Sequence, residues 1–221
     1  MKQFLIIGLG NFGFHLATHL YRKGHDVMAI DKSPVLVQSI KDDVTQAVVA
    51  DATDAGTLKE LGVKNVDTAV VGIGSVLGDS ILAVLNLQEL GIAHIVAKAI
   101  SDPHKKVLEK LGIKEIIFPE KDTALSMARK LDNPNLIDYL PFMEGYGIIE
   151  LAVPGKFVGK SLKQINLTNK YGVQVVAIKG LDAEHTRFSP HADDILNQED
   201  ILILLGPENG LDSLKIDGKK G

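Results

Sequence analysis

The feature that most narrows the fold is a junction that recurs along the first half of the chain. A helical segment closes on Leu-Gly and a β-rich run follows directly: Leu61-Gly62 before Ala69, Val70 and Val71; Leu90-Gly91 before Ile95, Val96 and Ala97; Leu111-Gly112 before Ile116, Ile117 and Phe118. Glycine suits the left-handed backbone position that ends a helix, so these are helix-to-strand junctions rather than solenoid repeats. Ahead of them lie Phe4–Ile7, an apolar run of the kind buried on both faces of a parallel sheet, and the strand candidates Val27–Ile30 and Val48–Ala50. Between the first two, Phe12, Leu16 and Leu20 recur at helical spacing over Asn11–Lys23, and Gly24 closes that helix. Six strands alternating with helices predict a doubly wound parallel sheet, the Rossmann-like α/β architecture.

The alternation stops at Pro119. A helix is expected over Lys121–Leu131, after which Asp132-Asn133-Pro134 and Pro141 interrupt regular structure. The expected division is a nucleotide-binding domain over 1–131, a linker over 132–142 and a small α+β domain over 143–221. In the last, Ile148–Val153, Val173–Ile178 and Ile201–Leu205 are strand candidates, with short helices over Gly159–Ile165 and Glu208–Leu214. A unit of that size buries a low fraction of its surface, so pairing with a second copy is expected.

Composition excludes several functions. Among 221 residues there is no cysteine, which removes disulfides, thiolate metal sites and cysteine nucleophiles. A net charge of −4 gives no bulk attraction to nucleic acid. The amino end shows no secretion leader, and the longest apolar runs fall far short of the roughly 20 residues a membrane helix needs, so direct membrane insertion is not expected.

Gly8-Leu9-Gly10-Asn11-Phe12-Gly13 reads as a G-x-G-x-x-G fingerprint between a buried strand and a helix, with Asp31 about 20 residues on. Gly8 permits the tight turn, Gly10 lets a pyrophosphate approach the backbone, and Gly13 lets the helix pack on the sheet. Amides at the helix start then face the anion. Asp31 is placed to accept the hydroxyls of an adenosine ribose and to repel a 2′-phosphate, which disfavours NADP. Asp51 and Thr53 follow the third strand, near an adenine in this fold or as a cap for the helix Gly56–Leu61. Gly74 and Ser75 lie where the fourth strand meets the first, at the switch point where open α/β sheets bind ligands, and serve as a wall near the phosphates or a strand-to-helix turn. Lys98 ends the fifth strand on the same edge, within reach of a phosphate or simply exposed.

Catalytic machinery is not evident. His15 and His19 lack the carboxylate of an H-E-x-x-H motif and fall opposite the apolar stripe of their helix. No nucleophile elbow and no P-loop occur. The residues alone leave two readings open, a nucleotide sensor and a small NAD-dependent oxidoreductase.

In this order and at this length, Ile7–Gly13, Val49–Thr53, Lys106–Gly112 and Phe118–Lys121, followed by a small second domain, resemble the RCK (KTN) family, specifically the Trk/Ktr-type cytosolic subunits of bacterial potassium-uptake systems. The resemblance implies a first domain that binds NAD(H), ADP, AMP or ATP through Gly8, Gly10, Gly13, Asp31, Asp51 and Thr53. It implies dimers assembled into an octameric ring, on the inner face of the cell membrane, that gate a membrane-embedded potassium channel or transporter without catalysis. It implies that Glu120 helps hold a cation near the phosphates; the rival reading, equally open, is a first-turn acid that stabilises a helix start. Several ATP-responsive members carry arginine where this chain has Asn11, which moves the expectation toward ADP, AMP or NAD(H). For the second domain the resemblance implies dimerisation and, in some relatives, cyclic di-AMP, with Ile165, Asn166, Lys170 and Tyr171 as candidates. Ala124, Leu125, Ala128 and Leu131 recur at helical spacing, a stripe for a sister subunit or for the chain's own sheet.

Overall fold

A computed structural model describes residues 1–180 and 186–214. The chain divides into two units, Met1–Glu120 and Lys121–Gly221; within the expected second domain, 181–185 and 215–221 lie outside the described residues.

The first unit alternates strand and helix: β1 (Gln3–Ile7), α1 (Asn11–Arg22), β2 (Asp26–Asp31), α2 (Pro34–Ile40), β3 (Gln46–Val49), α3 (Ala55–Glu60), β4 (Thr68–Val71), α4 (Leu77–Glu89), β5 (Ile95–Lys98), α5 (Asp102–Lys110) and β6 (Glu115–Ile117). All neighbouring strands pair in parallel, in the order β3-β2-β1-β4-β5-β6. The order reverses between β1 and β4, which opens a crevice at the carboxyl ends of the strands. Alternate residues of β1 serve the two faces: Leu5 and Ile7 join one apolar cluster with Leu58, Leu87 and Leu108, while Ile6 joins the other with Ala17, Val27 and Ile40. All three strand residues are at most 2% exposed, and burying each contributes about 1.5–3 kcal/mol. The Leu-Gly junctions are left-handed as expected, with φ of 70°, 78° and 81° at Gly62, Gly91 and Gly112.

Helix α6 (Pro119–Asp132) carries the chain into the second unit. There follow β7 (Leu136–Met143), β8 (Tyr146–Ala152), α7 (Leu162–Ile165), α8 (Leu167–Tyr171), β9 (Gln174–Lys179), β10 (Arg187–Phe188), β11 (Ile201–Pro207) and α9 (Glu208–Asp212). The strands form one antiparallel sheet ordered β10-β9-β11-β8-β7, with Leu151, Ile178, Leu196, Leu202 and Leu204 in its core. An α+β unit was expected, but residues 132–142 are not a linker: most of them form β7. Pro141 is accommodated because β7 is an edge strand, where a missing amide breaks no ladder, and the register slips between Pro141 and Met143.

The Lys121–Leu131 helix exists as the body of α6, yet none of its residues is buried, and Leu125, Met127 and Leu131 are 53%, 53% and 76% exposed. A polar cluster meets the far end of this helix. The Arg129 guanidinium lies 3.7 Å over the Tyr139 ring, and both Arg129 (3.3 Å) and the Tyr139 hydroxyl (2.6 Å) donate to Glu208 Oε1.

Candidate functional site

The crevice at the switch point holds a cavity of about 500 Å3, in the range of small-molecule sites. One wall is the loop between β1 and α1. Gly8 sits at φ 91°, and a Cβ there would stand 2.8 Å from the Ile73 amide nitrogen, so only glycine lets β1 and β4 approach this closely at the turn. Gly13 faces inward, where a Cβ would overlap the Gly8 carbonyl oxygen. Gly10 has nothing within 4 Å of an added Cβ. Its position is open toward a ligand, whereas the other two are closed by the protein itself.

Gly10 is also the N-cap of α1, which has no side-chain cap and no acidic residue in its first turn. The helices α2, α3 and α5 are each capped by a side chain, from Ser33, Asp54 and Ser101. The amino end of α1 thus leaves its positive dipole end and first amides facing the cavity beside Gly10, Asn11 and Phe12, an arrangement that favours an anion.

Asp31 also lines the cavity, beside the glycine loop, and does more than sequence suggested. Its Oδ2 accepts the Leu9 amide at 2.7 Å and its Oδ1 accepts the Ser33 amide at 2.8 Å. The carboxylate therefore braces the glycine loop from β2, and each oxygen keeps lone-pair capacity for a further donor. Gly74 and Ser75 also line the cavity.

Lys98 is not an exposed lysine. It is 9% exposed overall, and its Nζ donates to Glu120 Oε1 at 2.6 Å. Its stem passes Gly74, where a Cβ would come within 3.4 Å of Cε and 3.2 Å of Nζ. The hydrogen-bonded Lys98 ammonium holds the Glu120 carboxyl below the usual carboxylate range. Glu120, expected from resemblance to help hold a cation, accepts a hydrogen bond from the Lys98 ammonium in this structure. Among the described residues no group of three or more His, Cys, Asp or Glu is placed to hold a metal.

Asp51 and Thr53 are not among the cavity-lining residues, although Ala50 and Ala52 are. Asp51 Oδ1 accepts both the amide and hydroxyl of Thr53, at 2.8 and 2.6 Å, which lowers its carboxyl, and it also pairs with Lys32 at 3.2 Å. The cap of α3 is Asp54, one turn residue further than expected. Lys32 and Asp79 were missed by sequence reasoning. Both line the cavity and pair at 2.8 Å, joining the end of β2 to the first turn of α4. The Asp79 hydrogen bond raises the Lys32 ammonium above its ordinary value. The available signals were adjacency to Asp31 and the position of Asp79 just after the Gly72–Gly78 loop.

In the second unit, the four candidates for a further ligand do not line one common pocket of this chain. Ile165 is a core residue, Tyr171 packs against that core, and Lys170 is exposed; of the four, Asn166 lines a cavity of about 480 Å3 with Lys163, Thr168 and Pro190. His15 and His19 are exposed.

Comparison with known proteins agrees with this fold. The TrkA-N domain model matches residues 4–119 and the TrkA-C domain model residues 148–215. The Ktr system potassium uptake protein C of Bacillus subtilis is 38% identical over 93% of this chain and 92% of its own length. The Ktr system potassium uptake protein A of the same organism is 36% identical over 98% and 97%. Among solved structures, the GsuK channel bound to NAD superposes with a TM-score of 0.62 at 17% identity, covering 95% of this chain and 38% of that one, so this chain spans well under half of that channel's length. With both domain models matched in order and relatives aligned almost end to end, the chain belongs to the TrkA-N/TrkA-C family, the RCK regulatory proteins of Ktr and Trk potassium-uptake systems.

Proposed function

We propose that this protein is the nucleotide-sensing regulatory subunit of a potassium-uptake system and that its signal is an adenine nucleotide held in the first unit. The observation that carries the reading is the cavity in which the uncapped amino end of α1, the open Gly10 and the Asp31 carboxylate converge. Those groups fit the ligand: Asp31 accepts ribose hydroxyls, the amides beside Gly10, Asn11 and Phe12 take a phosphate, and Gly74, Ser75 and Lys98 line the continuation toward further phosphates or a second sugar. Gly13 acts by seating α1. Asp51 and Thr53 act, in this reading, at the rim through Lys32.

The partner is a membrane-embedded potassium channel or transporter subunit, and the working form is a homo-oligomer, dimers closed into a ring on the inner face of the membrane. Among the described residues no helix is long and apolar enough to cross a membrane, so contact with the bilayer would run through that partner. The exposed apolar stripe of α6 supports a contact between copies. A nucleotide can shift a gate only by the difference in its affinity for the two gate states, and the gate feeds back on nucleotide affinity by the same factor. Repeating a small difference over several copies makes an effective switch.

The test is potassium flux into vesicles that carry the membrane subunit of the same cell. Flux should depend on added protein and change with adenine nucleotide, and the Asp31→Ala variant should lose the nucleotide response. Flux indifferent to the protein would overturn the regulatory reading, and consumption of NAD by the protein would instead establish the oxidoreductase.

A further inference from the structure

Strands β3 and β4 stand three inter-strand steps apart in the order β3-β2-β1-β4, about 14 Å. Carboxylates that follow these two strands nevertheless meet on one ammonium. Lys32 follows Asp31 at the end of β2. Its Nζ lies 3.2 Å from Asp51 Oδ1, in the turn after β3, and 2.8 Å from Asp79 Oδ2, in the first turn of α4. Two carboxylates drawn this close repel each other unless a cation stands between them. Lys32 is that cation.

A second tie completes a ring. Asn86 lies two turns along α4 from Asp79, on the same side of the helix. Its buried Nδ2 donates to the Ala52 carbonyl at 3.0 Å and fixes the turn after β3 to α4. The end of β2, the turn after β3 and α4 are thereby joined in a closed circuit, through Lys32 on one side and Asn86 on the other. The segments so joined carry Asp31, read above as the ribose acceptor, and Ala50 and Ala52, which also line the cavity; the Ala50 amide donates to the Asp31 carbonyl at 3.0 Å. None of these ties involves the start of α1, read above as the phosphate site. The Lys32 pairs are partly in solvent, and such a pair favours its arrangement by a factor of about five at most. They therefore matter little for folding and more for the shape of the ligand-free cavity, since a ligand gains from ordering that the protein has already done.

Resting on the nucleotide reading above, we propose that Lys32 is a positioning residue for the nucleoside. By holding Asp51 and Asp79 together it keeps the ribose acceptor and the wall beside it at the spacing a nucleoside needs, without itself touching the ligand. Its effect is the same however many phosphates the nucleoside carries. A lysine that met a phosphate would matter more with each phosphate added. An Asp79 that acted only through its charge would repel anionic nucleotides, so its removal would tighten them; in the positioning role its removal weakens them.

The experiment is calorimetric titration of the full-length protein with AMP and ADP for wild type, Lys32→Met, Lys32→Arg, Asp79→Ala and the double variant of Lys32→Met and Asp79→Ala. Thermal unfolding of each variant verifies that it is folded. Asp79→Ala should weaken both ligands by about three- to fivefold, although it removes a negative charge. Lys32→Met should weaken both by about tenfold, because two pairs are lost and two carboxylates are left to repel. Lys32→Arg should stay within about threefold of wild type. In the Lys32→Met background, Asp79→Ala should recover about threefold, since the repulsion leaves with it. That reversal of sign is the signature: a direct contact between Asp79 and the ligand would lose affinity in both backgrounds, and a bare charge would gain it in both. If Asp79→Ala has the same sign in both backgrounds, if Lys32→Arg binds no better than Lys32→Met, or if the Lys32→Met loss grows more than about threefold from AMP to ADP, the positioning role is wrong and the nucleotide reading stands. If the wild type binds neither ligand, the nucleotide reading fails and takes this inference with it.

Discussion

Gly10 and Gly13, three residues apart at the start of α1, offer a separation of folding from binding. A methyl group at Gly13 would overlap the Gly8 carbonyl oxygen, a backbone atom of a turn that is itself packed against Ile73. Relief requires the start of α1 to retreat from β1 by ~1.5 Å, since ordinary van der Waals contact begins at about 3.4 Å. Overpacking of this kind costs about 2–3 kcal/mol, which for a unit of this size lowers the unfolding midpoint by roughly 6–12 °C. At Gly10 the added methyl meets no atom of the protein, and φ of −62° suits any residue. Only the poorer N-cap quality of alanine counts there, about 0.5–1 kcal/mol. The same methyl, however, occupies the approach to the first amides of α1, so nucleotide affinity should fall about tenfold or more. Thermal unfolding followed by circular dichroism, with calorimetric titration of the same samples, gives both numbers. Gly13→Ala melting with the wild type, or Gly10→Ala keeping full affinity, would refute the division of labour between the two positions.

Other consequences follow from hydrogen bonds and burial. Asp31→Ala removes a carboxylate that accepts the Leu9 and Ser33 amides, so it should lower the stability of the ligand-free protein by about 1.5–3 kcal/mol as well as abolish ribose recognition; denaturant unfolding without ligand checks this, and an undiminished midpoint would mean the brace is not formed. His104 is fully buried, its Nε2 has no hydrogen-bond partner among the described residues, and burial holds its imidazole below the ordinary value. As pH falls below about 6.5 the unfolded chain takes up a proton that the folded one does not, so stability should be lost toward acid at up to about 1.4 kcal/mol per pH unit. Unfolding of His104→Leu between pH 7.5 and 5 should show a shallower acid loss than wild type, and equal losses would assign the slope to other groups. Tyr139→Phe deletes the hydroxyl that donates to Glu208 at 2.6 Å and should cost about 1–2 kcal/mol, measured by the same unfolding; no change would make that cluster a surface coincidence.

The parallel sheet was legible because its signals are local. Each Leu-Gly junction marks a helix end by its own backbone requirement, and β1 declares its double burial by an unbroken apolar run. The glycine loop was legible for the same reason. What sequence did not show depends on distant partners. Strand β7 was hidden by Pro141, which reads as a breaker unless the strand is known to lie at a sheet edge. Lys98 looks like any lysine until Gly74 and Glu120, 24 and 22 residues away, are seen to enclose its stem and meet its charge. Lys32 and Asp79 are joined across 47 residues, and no spacing rule connects them. Asp51 and Thr53 were placed on the right edge of the sheet, yet the direction of their side chains, toward each other and Lys32, is set by a turn whose hydrogen bonds the sequence leaves open.

The most direct measurement of the central claim is calorimetric titration of the protein with NAD, NADH, AMP, ADP and ATP, with light scattering and nucleotide analysis of each sample afterwards. The account predicts saturable binding of at least one of them at one site per chain, a particle larger than a monomer, and nucleotide recovered intact. Failure of all five to bind, or a monomer that converts NAD to NADH, would contradict it.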